Sequence, residues 1–198
     1  MEDTYLTLAE ISEGLYKEKG SRFLAFALPV KTEQEIKSHL DALSKRFHDA
    51  RHQCYAYILG SDQANYRAND DGEPSHSAGD PILGQIKSRN LTDALVVVIR
   101  YFGGTKLGVG GLINAYRTAA ALALDNNRIV TVVKKAVIRI RFDYSDTAEV
   151  MRLIHQLGLE ISHQDFREYC TMSLSCRLKN QEAITSELHA TRSVKIID

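Results

Sequence analysis

The sequence predicts an α+β protein with two domains, at residues 1–132 and 133–198. Two observations carry this prediction. Short segments with the alternating or continuously apolar pattern of strands are interspersed with helices that have one apolar stripe. From residue 137 onward the order of these segments is βαββαβ, the order of a ferredoxin-like domain, for which about 65 residues suffice.

The C-terminal domain begins with Val137–Tyr144, which alternates apolar and polar residues as a half-buried strand does. Ser145 or Asp146 can cap the helix that follows, and Gly158 fits its end. The remaining elements predicted for this domain are strands at Leu159–Arg167 and Tyr169–Leu178, a helix at Asn180–His189 and a last strand at Val194–Ile197.

The N-terminal domain is predicted to be a mixed α/β domain. Leu95–Phe102 contains a continuously apolar run and is expected to be its most buried strand. Thr32 and Glu35 form a capping box at the start of a helix. The predicted elements are strands at Tyr5–Leu8, Arg22–Val30, Gln53–Leu59 and Ala64–Ala68, and helices at Thr32–Phe47, Ser77–Lys87 and Gly110–Asp125.

Composition excludes several classes of protein. The 198 residues are 44% hydrophobic and carry 25 basic and 25 acidic side chains, so neither a disordered chain nor a polybasic nucleic-acid binder is expected. The longest apolar runs have five or six residues, whereas a membrane span needs about 20. Cys170 and Cys176 lie on one predicted strand, about 20 Å apart and too far for a disulfide, and Cys54 is alone. These features predict a cytoplasmic protein.

A glycine-rich loop at residues 100–111 joins the buried strand to the last helix of this domain. Its backbone can approach a ligand closely, the helix start offers free N–H groups, and Arg100 and Lys106 add positive charge. This combination predicts an anion site suited to phosphate. The spacing fits neither a P-loop nor a dinucleotide-binding motif. The alternative is that the glycines serve only to pack the alanine-rich helix tightly on the sheet.

Two further segments contain groups that could perform chemistry. Asp70, Asp71 and Glu73 lie in one turn and could hold Mg²⁺, although acidic turns are commonly only solvated. His48, His52 and Cys54 could bind zinc, and Cys54 and His52 could form a nucleophile pair. The alternative is that they are ordinary polar residues. No other cofactor is predicted.

Several segments together resemble the Impact/YigZ family in their order and spacing between residues 19 and 116. These segments are Lys19–Phe23, Asp49–Cys54, Asp70–Ser75 and, most strongly, Val96–Gly111, continuing into Leu112 and Ala115–Tyr116. The resemblance implies that the first domain has a left-handed βαβ fold, shared with a ribosomal protein and elongation factor G. It implies a C-terminal domain similar to the last domain of elongation factor G. Eukaryotic Impact relatives regulate translation, and the family supplies no catalytic residues to carry over.

This chain departs from the family pattern at four positions. His76 and Ser77 stand where Gly-Thr is usual, Asp80 replaces a common basic residue, and Val109 replaces a common Thr. We expect Asp80 to weaken phosphate binding, and His76 to offset this only when it is protonated.

We therefore expect a translation-associated binding protein that contacts RNA, the ribosome or a translation factor. The first alternative is a small enzyme or ligand switch that binds a nucleotide or phosphate ester with Mg²⁺, and the second is a protein-interaction module. The sequence does not predict an oligomeric state. The residues assigned to anion or nucleic-acid binding are Arg51, Arg100, Gly103, Gly104, Lys106, Gly108, Gly110, Gly111 and Arg117.

Overall fold

The computed structural model describes residues 3–197, which form two compact units. The first is Tyr5–Val132, and the second comprises the residues from Val133 onward together with Asp3 and Thr4. In chain order the elements are β1 (Thr4–Leu8), β2 (Ser12–Glu18), β3 (Ser21–Pro29), α1 (Glu33–Arg46), β4 (His52–Leu59), β5 (Asn65–Asn69), α2 (Gly79–Ser88), β6 (Ala94–Tyr101), α3 (Gly108–Asp125), β7 (Ile129–Val133), β8 (Lys135–Phe142), α4 (Thr147–Gln156), β9 (Glu160–Phe166), β10 (Cys170–Arg177), α5 (Gln181–Ala190) and β11 (Lys195–Ile197).

The first unit is built around a five-stranded sheet with the order β2-β3-β6-β4-β5. Each strand is antiparallel to its neighbours, and β6 lies at the centre between β3 and β4. Helix α1 packs on one face, and helices α2 and α3 pack on the other. The mixed α/β character that the sequence predicts is therefore confirmed, and β4 pairs antiparallel with β5.

The continuous apolar run of β6 follows from its central position. Ala94, Val96 and Val98 belong to the core under α2 and α3. Leu95, Val97 and Ile99 belong to the core under α1. Because successive side chains of a strand point to opposite faces, the next even-numbered residue, Arg100, is directed into the α3 side of the sheet.

Two strands of this unit were not predicted. Strand β2 carries little apolar pattern because α3 packs directly on its backbone: a Cβ on Gly14 would lie 2.5 Å from the backbone nitrogen of Ala123. The segment Ile129–Val133, expected only as a boundary, is strand β7 and pairs with β1 in a two-stranded sheet. In β2 the close packing of backbone on backbone needs no alternating apolar side chains. In β7 the pairing partner is β1, far away in the sequence, so the local pattern does not indicate the pairing.

The second unit has the element order β8-α4-β9-β10-α5-β11, as predicted for residues 137 onward. Its sheet has the strand order β11-β8-β10-β9, with each neighbouring pair antiparallel. Even-numbered residues of β8 and β10 are buried with α4 and α5, whereas odd-numbered residues are exposed or half-buried on the other face.

Within residues 3–197, no helix is both long enough and apolar enough to cross a membrane.

Candidate functional site

The end of β6 carries two concavities of about 370 Å³ each, both lined by Arg100 and Phe102. The Phe102 side chain is 56% exposed, whereas that of Arg100 is 8% exposed. We call this surface the Phe102 groove. On one side it is lined by Asp49, Arg51, His52 and Tyr101, and on the other by Glu73, Pro74, Lys106, Leu107, Gly108, Val109 and Leu112.

Arg100 is held beneath the groove by a buried carboxylate. Its Nη1 donates to Oε1 of Glu73 at 2.6 Å, and the same oxygen accepts a hydrogen bond from the Tyr116 hydroxyl at 2.7 Å. The guanidinium lies 5.6 Å from the ring centres of both Phe23 and Phe102. Its buried Nε has no hydrogen-bond partner among the described residues. A cation with a free donor therefore underlies an exposed aromatic ring.

The start of α3 adds backbone donors to this surface. Gly108 begins the helix, no side chain among the described residues caps it, and the first turn contains no acidic residue. Its first N–H groups are therefore left for solvent or a ligand, at the positive end of the helix dipole. Lys106, exposed two residues earlier, contributes a full charge to the same concavity.

The glycines of the loop have different roles. A Cβ on Gly103 would lie 1.9 Å from the carbonyl carbon of Gly20, so this glycine allows two backbone segments to touch. Gly104 and Gly108 have φ angles of +88° and +73°, which favour glycine. Gly110 has neither constraint, since its φ is ordinary and a Cβ added there would meet none of the described residues within 4 Å. Gly111 would bring a Cβ to 2.9 Å from that of Leu107.

Of the four basic residues predicted to bind an anion, three line the groove and one does not. Arg51, Arg100 and Lys106 all line the groove. Arg117 is exposed on α3, nine residues beyond Gly108 and about 14 Å further along the helix axis, and it lines neither concavity. The structure thus brings three of the four predicted cations together around Phe102, a residue that the sequence did not single out.

The three carboxylates of the acidic turn accept hydrogen bonds from three different parts of the first unit. Asp70 accepts hydrogen bonds from the backbone nitrogens of His76, Ala78 and Gly79, at the start of α2. Partial burial raises the pKa of this carboxyl, but the three backbone donors outweigh it and hold the pKa below its ordinary value. Asp71 accepts from the backbone nitrogen of Gln53.

Glu73, the third predicted metal ligand, is engaged with Arg100 and Tyr116. The three carboxylates thus have separate protein partners. In residues 3–197 no three His, Cys, Asp or Glu side chains are grouped as a metal-binding cluster. Mg²⁺ at this turn remains a prediction.

The histidine and cysteine segment is arranged around the same turn. The Cys54 thiol is buried and donates to the carbonyl oxygen of Asp70 at 2.9 Å. Burial raises the pKa of this thiol to about 12, which keeps it protonated and unreactive. His52 Nδ1 lies 2.8 Å from the carbonyl oxygen of Asp71, which can only accept, so this nitrogen is a donor. His48 is exposed in the turn after α1.

His76 and Asp80, two of the positions at which this chain departs from the family pattern, are in contact with each other. Nδ1 of His76 is 2.6 Å from Oδ2 of Asp80, in an exposed pair at the start of α2. Val109 is 52% exposed and lines the groove beside Gly108. An apolar side chain therefore stands where a hydroxyl could otherwise contact a ligand.

These features define a mixed α/β protein with two compact units, the first of which has a groove lined by three cations and two carboxylates around an exposed phenylalanine. Residues 19–124 match the Impact N-terminal domain, and the chain belongs to that family. It is 38% identical over 154 residues to the IMPACT family member YvyE of Bacillus subtilis (strain 168), across 78% of this chain and 70% of the relative. The resemblance to the Impact/YigZ family is therefore confirmed.

Two further comparisons extend over most of the chain. The IMPACT family member YigZ of Escherichia coli (strain K12) is 28% identical over 162 residues, 79% of this chain and 78% of the relative. A crystal structure described as that of a hypothetical protein has a TM-score of 0.78, covering 100% of this chain and 98% of that chain. At 23% sequence identity, that structural match shows a shared fold alone.

Proposed function

We propose that the protein is a cytoplasmic, translation-associated binding protein that contacts RNA of the ribosome through the Phe102 groove. The observation that carries this proposal is the exposed Phe102 ring above the buried Arg100 guanidinium, beside Lys106 and the uncapped start of α3. An exposed ring can stack on a base, while the cations and helix N–H groups can contact phosphate. Since the net charge is zero, the phosphate contacts are few.

The architecture supports a role of this kind. We propose that the first unit has the left-handed βαβ fold of ribosomal-protein and elongation-factor-G type, and that the second is a ferredoxin-like domain similar to the last domain of elongation factor G. In support, β3 and β4 flank β6, and both are antiparallel to it, so they run parallel to each other on either side of it. In the second unit, the strand order β11-β8-β10-β9 accompanies a βαββαβ element order.

The alternatives predict different ligands. A nucleotide- or phosphate-ester-dependent enzyme or switch needs Asp70, Asp71 and Glu73 to hold Mg²⁺, and these carboxylates already serve protein donors. A protein-interaction module would use the groove to bind a translation factor without RNA.

The test is co-sedimentation with ribosomes and with labelled RNA over a range of salt concentrations. Lys106→Glu places a negative charge in the groove without touching the buried Arg100 pair. Lys37→Glu, at an exposed position in the first half of α1 and twelve residues before Asp49, makes the same change of charge and serves as the control. We expect salt-sensitive binding of the wild type and the control, and about tenfold weaker binding of Lys106→Glu.

Absence of binding to RNA and ribosomes at low salt would overturn this proposal. Thermal stabilisation by nucleotides only in the presence of Mg²⁺ would favour the enzyme or switch. Ribosome binding that survives removal of accessible RNA, and is still lost in Lys106→Glu, would indicate a protein partner instead.

A further inference from the structure

The second unit has an open sheet face with an unusual distribution of charge. The face consists of the odd-numbered residues of β8 and β10 and the residues paired with them, opposite the side that packs on α4 and α5. Arg139 and Arg141 lie on its central strand β8, about 6.8 Å apart along the strand. Lys195 on β11 and His163 on β9 lie to either side of them.

The register places like charges directly against each other. Lys195 is the cross-strand partner of Arg141 in the β11–β8 pair. Directly opposed like charges destabilise an antiparallel sheet. The nearby acidic side chains of β9 are engaged with other cations, because Asp165 binds Arg167 and Glu160 binds Lys135. An anion bound over the Lys195–Arg141 pair would offset this repulsion.

The face also has the shape and donors for a polar ligand. A concavity of about 440 Å³ is lined by Arg139, His163, Thr171 and Ser173, with Met172 and Ile197. Thr171 and Ser173 lie on β10, where they are the cross-strand partners of Arg141 and Arg139. Hydroxyls beside arginines are donors that suit phosphate oxygens and ribose 2′-hydroxyls.

We propose that this open face, centred on Arg139, Arg141 and Lys195, binds single-stranded RNA. Four strands about 4.8 Å apart make a surface that one extended nucleic-acid strand can cross. An amphipathic helix would need an apolar groove, and an added β-strand would need a free edge rather than a face. Tyr169, 44% exposed with the Arg141 guanidinium 4.4 Å from its ring centre, offers a stacking position at one end. The site is separate from the Phe102 groove and does not depend on it.

The test uses the full chain and a fluorescently labelled 12-nucleotide uridine RNA, with binding followed by polarisation between 50 and 200 mM salt. Arg139→Glu/Arg141→Glu reverses the two central charges. Arg152→Glu/Lys179→Glu makes the same change of charge at exposed positions on α4 and after β10, away from this face. Arg139→Lys/Arg141→Lys keeps the charge and tests whether electrostatics carry the contact.

The variants are compared in a Lys106→Glu background, which removes the contact proposed at the Phe102 groove. There we expect the central reversal to weaken binding at least about tenfold and to reduce the salt slope by about 1.4, at 0.7 per phosphate contact on a single strand. The control pair and the lysine pair should remain within about threefold of Lys106→Glu alone. Thermal unfolding identifies a variant that fails to fold, and Arg139→Ala/Arg141→Ala then replaces it as the milder change.

The proposal would be overturned if Arg139→Glu/Arg141→Glu kept its RNA affinity, or if Arg152→Glu/Lys179→Glu lost as much RNA affinity as it did. Lys106→Glu separates the two surfaces: RNA binding that depends on Lys106 alone supports the groove and refutes the sheet face. If Arg139→Glu/Arg141→Glu no longer binds an acidic protein but still binds RNA with wild-type affinity, the proposal is wrong and this face binds protein instead.

Discussion

Arg100 and Glu73 form an ion pair beneath the surface of the first unit, with a distance of 2.6 Å between Nη1 and Oε1 and side chains only 8% and 4% exposed. The pair fixes the acidic turn to the end of the central strand. It also places a cation directly under the Phe102 groove. A charge in this position needs its partner, because an isolated buried ion is strongly unfavourable.

Removal of the carboxylate should therefore destabilise the protein severely. Glu73→Ala leaves the Arg100 guanidinium buried without its counter-ion, and we expect a loss of about 3–5 kcal/mol in the free energy of unfolding. Tyr116→Phe removes one hydrogen bond to the same carboxylate and should lose about 1 kcal/mol. Urea unfolding followed by circular dichroism measures both. Glu73→Ala within about 1 kcal/mol of wild type would show that the pair does not support the fold.

Two glycines of the same loop should respond oppositely to alanine. Gly103→Ala would drive a Cβ into the Gly20–Ser21 backbone, with an expected loss of about 1–3 kcal/mol or more. Gly110→Ala meets open space in the first turn of α3 and should be neutral or stabilising by up to about 1 kcal/mol. If RNA approaches the backbone there, Gly110→Ala should still weaken RNA binding. Equal stability of the two variants would contradict this division of roles.

The pH dependence of stability should report the Asp70 interactions. The folded-state pKa of Asp70 lies below its ordinary value of 3.8, so its contribution to stability is complete from about one pH unit above 3.8 and is lost as the pH falls through the folded pKa. Asp70→Asn should therefore flatten the decline of unfolding free energy between about pH 5 and pH 2. Asp41→Asn makes the same substitution at an exposed position of α1 and serves as the control. An unchanged slope in Asp70→Asn would refute the assignment.

The Cys54 thiol should be unreactive in the folded protein. Burial raises its pKa from 9.0 to about 12, so at pH 8 a thiol reagent should modify Cys54 only at the rate of unfolding, as mass spectrometry of its peptide would show. The unfolded thiol ionises first as the pH rises, so this group's contribution to stability is full below about pH 9 and declines from there to about pH 12. Rapid modification of native protein would contradict the burial of this group.

Local sequence patterns predicted the elements with strong periodicity. The apolar run of β6 indicated a central strand, and alternation along it explains why Arg100 is buried on the α3 side. The family blocks identified the loop and the turn that line the groove. Strand β2 left no such pattern, because Gly14 and close packing on α3 hold it instead of apolar side chains.

The hydrogen bonds and the ion pair within the site could not be predicted from local sequence patterns. Glu73 pairs with a residue 27 positions away and Tyr116 with one 43 positions away, so neither contact has a local signature. Asp70, Asp71 and Glu73 share one turn, yet strand and helix positions direct them to separate donors. Arg117 is close to the glycine loop in sequence, but helix α3 carries it away from the groove.

Phe102→Ala tests the central claim most directly, because the exposed ring is proposed to stack on a base. Tyr66→Ala, at a tyrosine that is 53% exposed on β5, is the matched control for removal of a surface ring. Affinity for ribosomal RNA is measured at one fixed salt concentration, with thermal unfolding to confirm the fold. A stacked base predicts a loss of about 1–3 kcal/mol, roughly 5- to 150-fold in affinity, for Phe102→Ala and no loss for Tyr66→Ala. Wild-type affinity in Phe102→Ala, or an equal loss in both variants, would contradict the proposed RNA contact at the Phe102 groove.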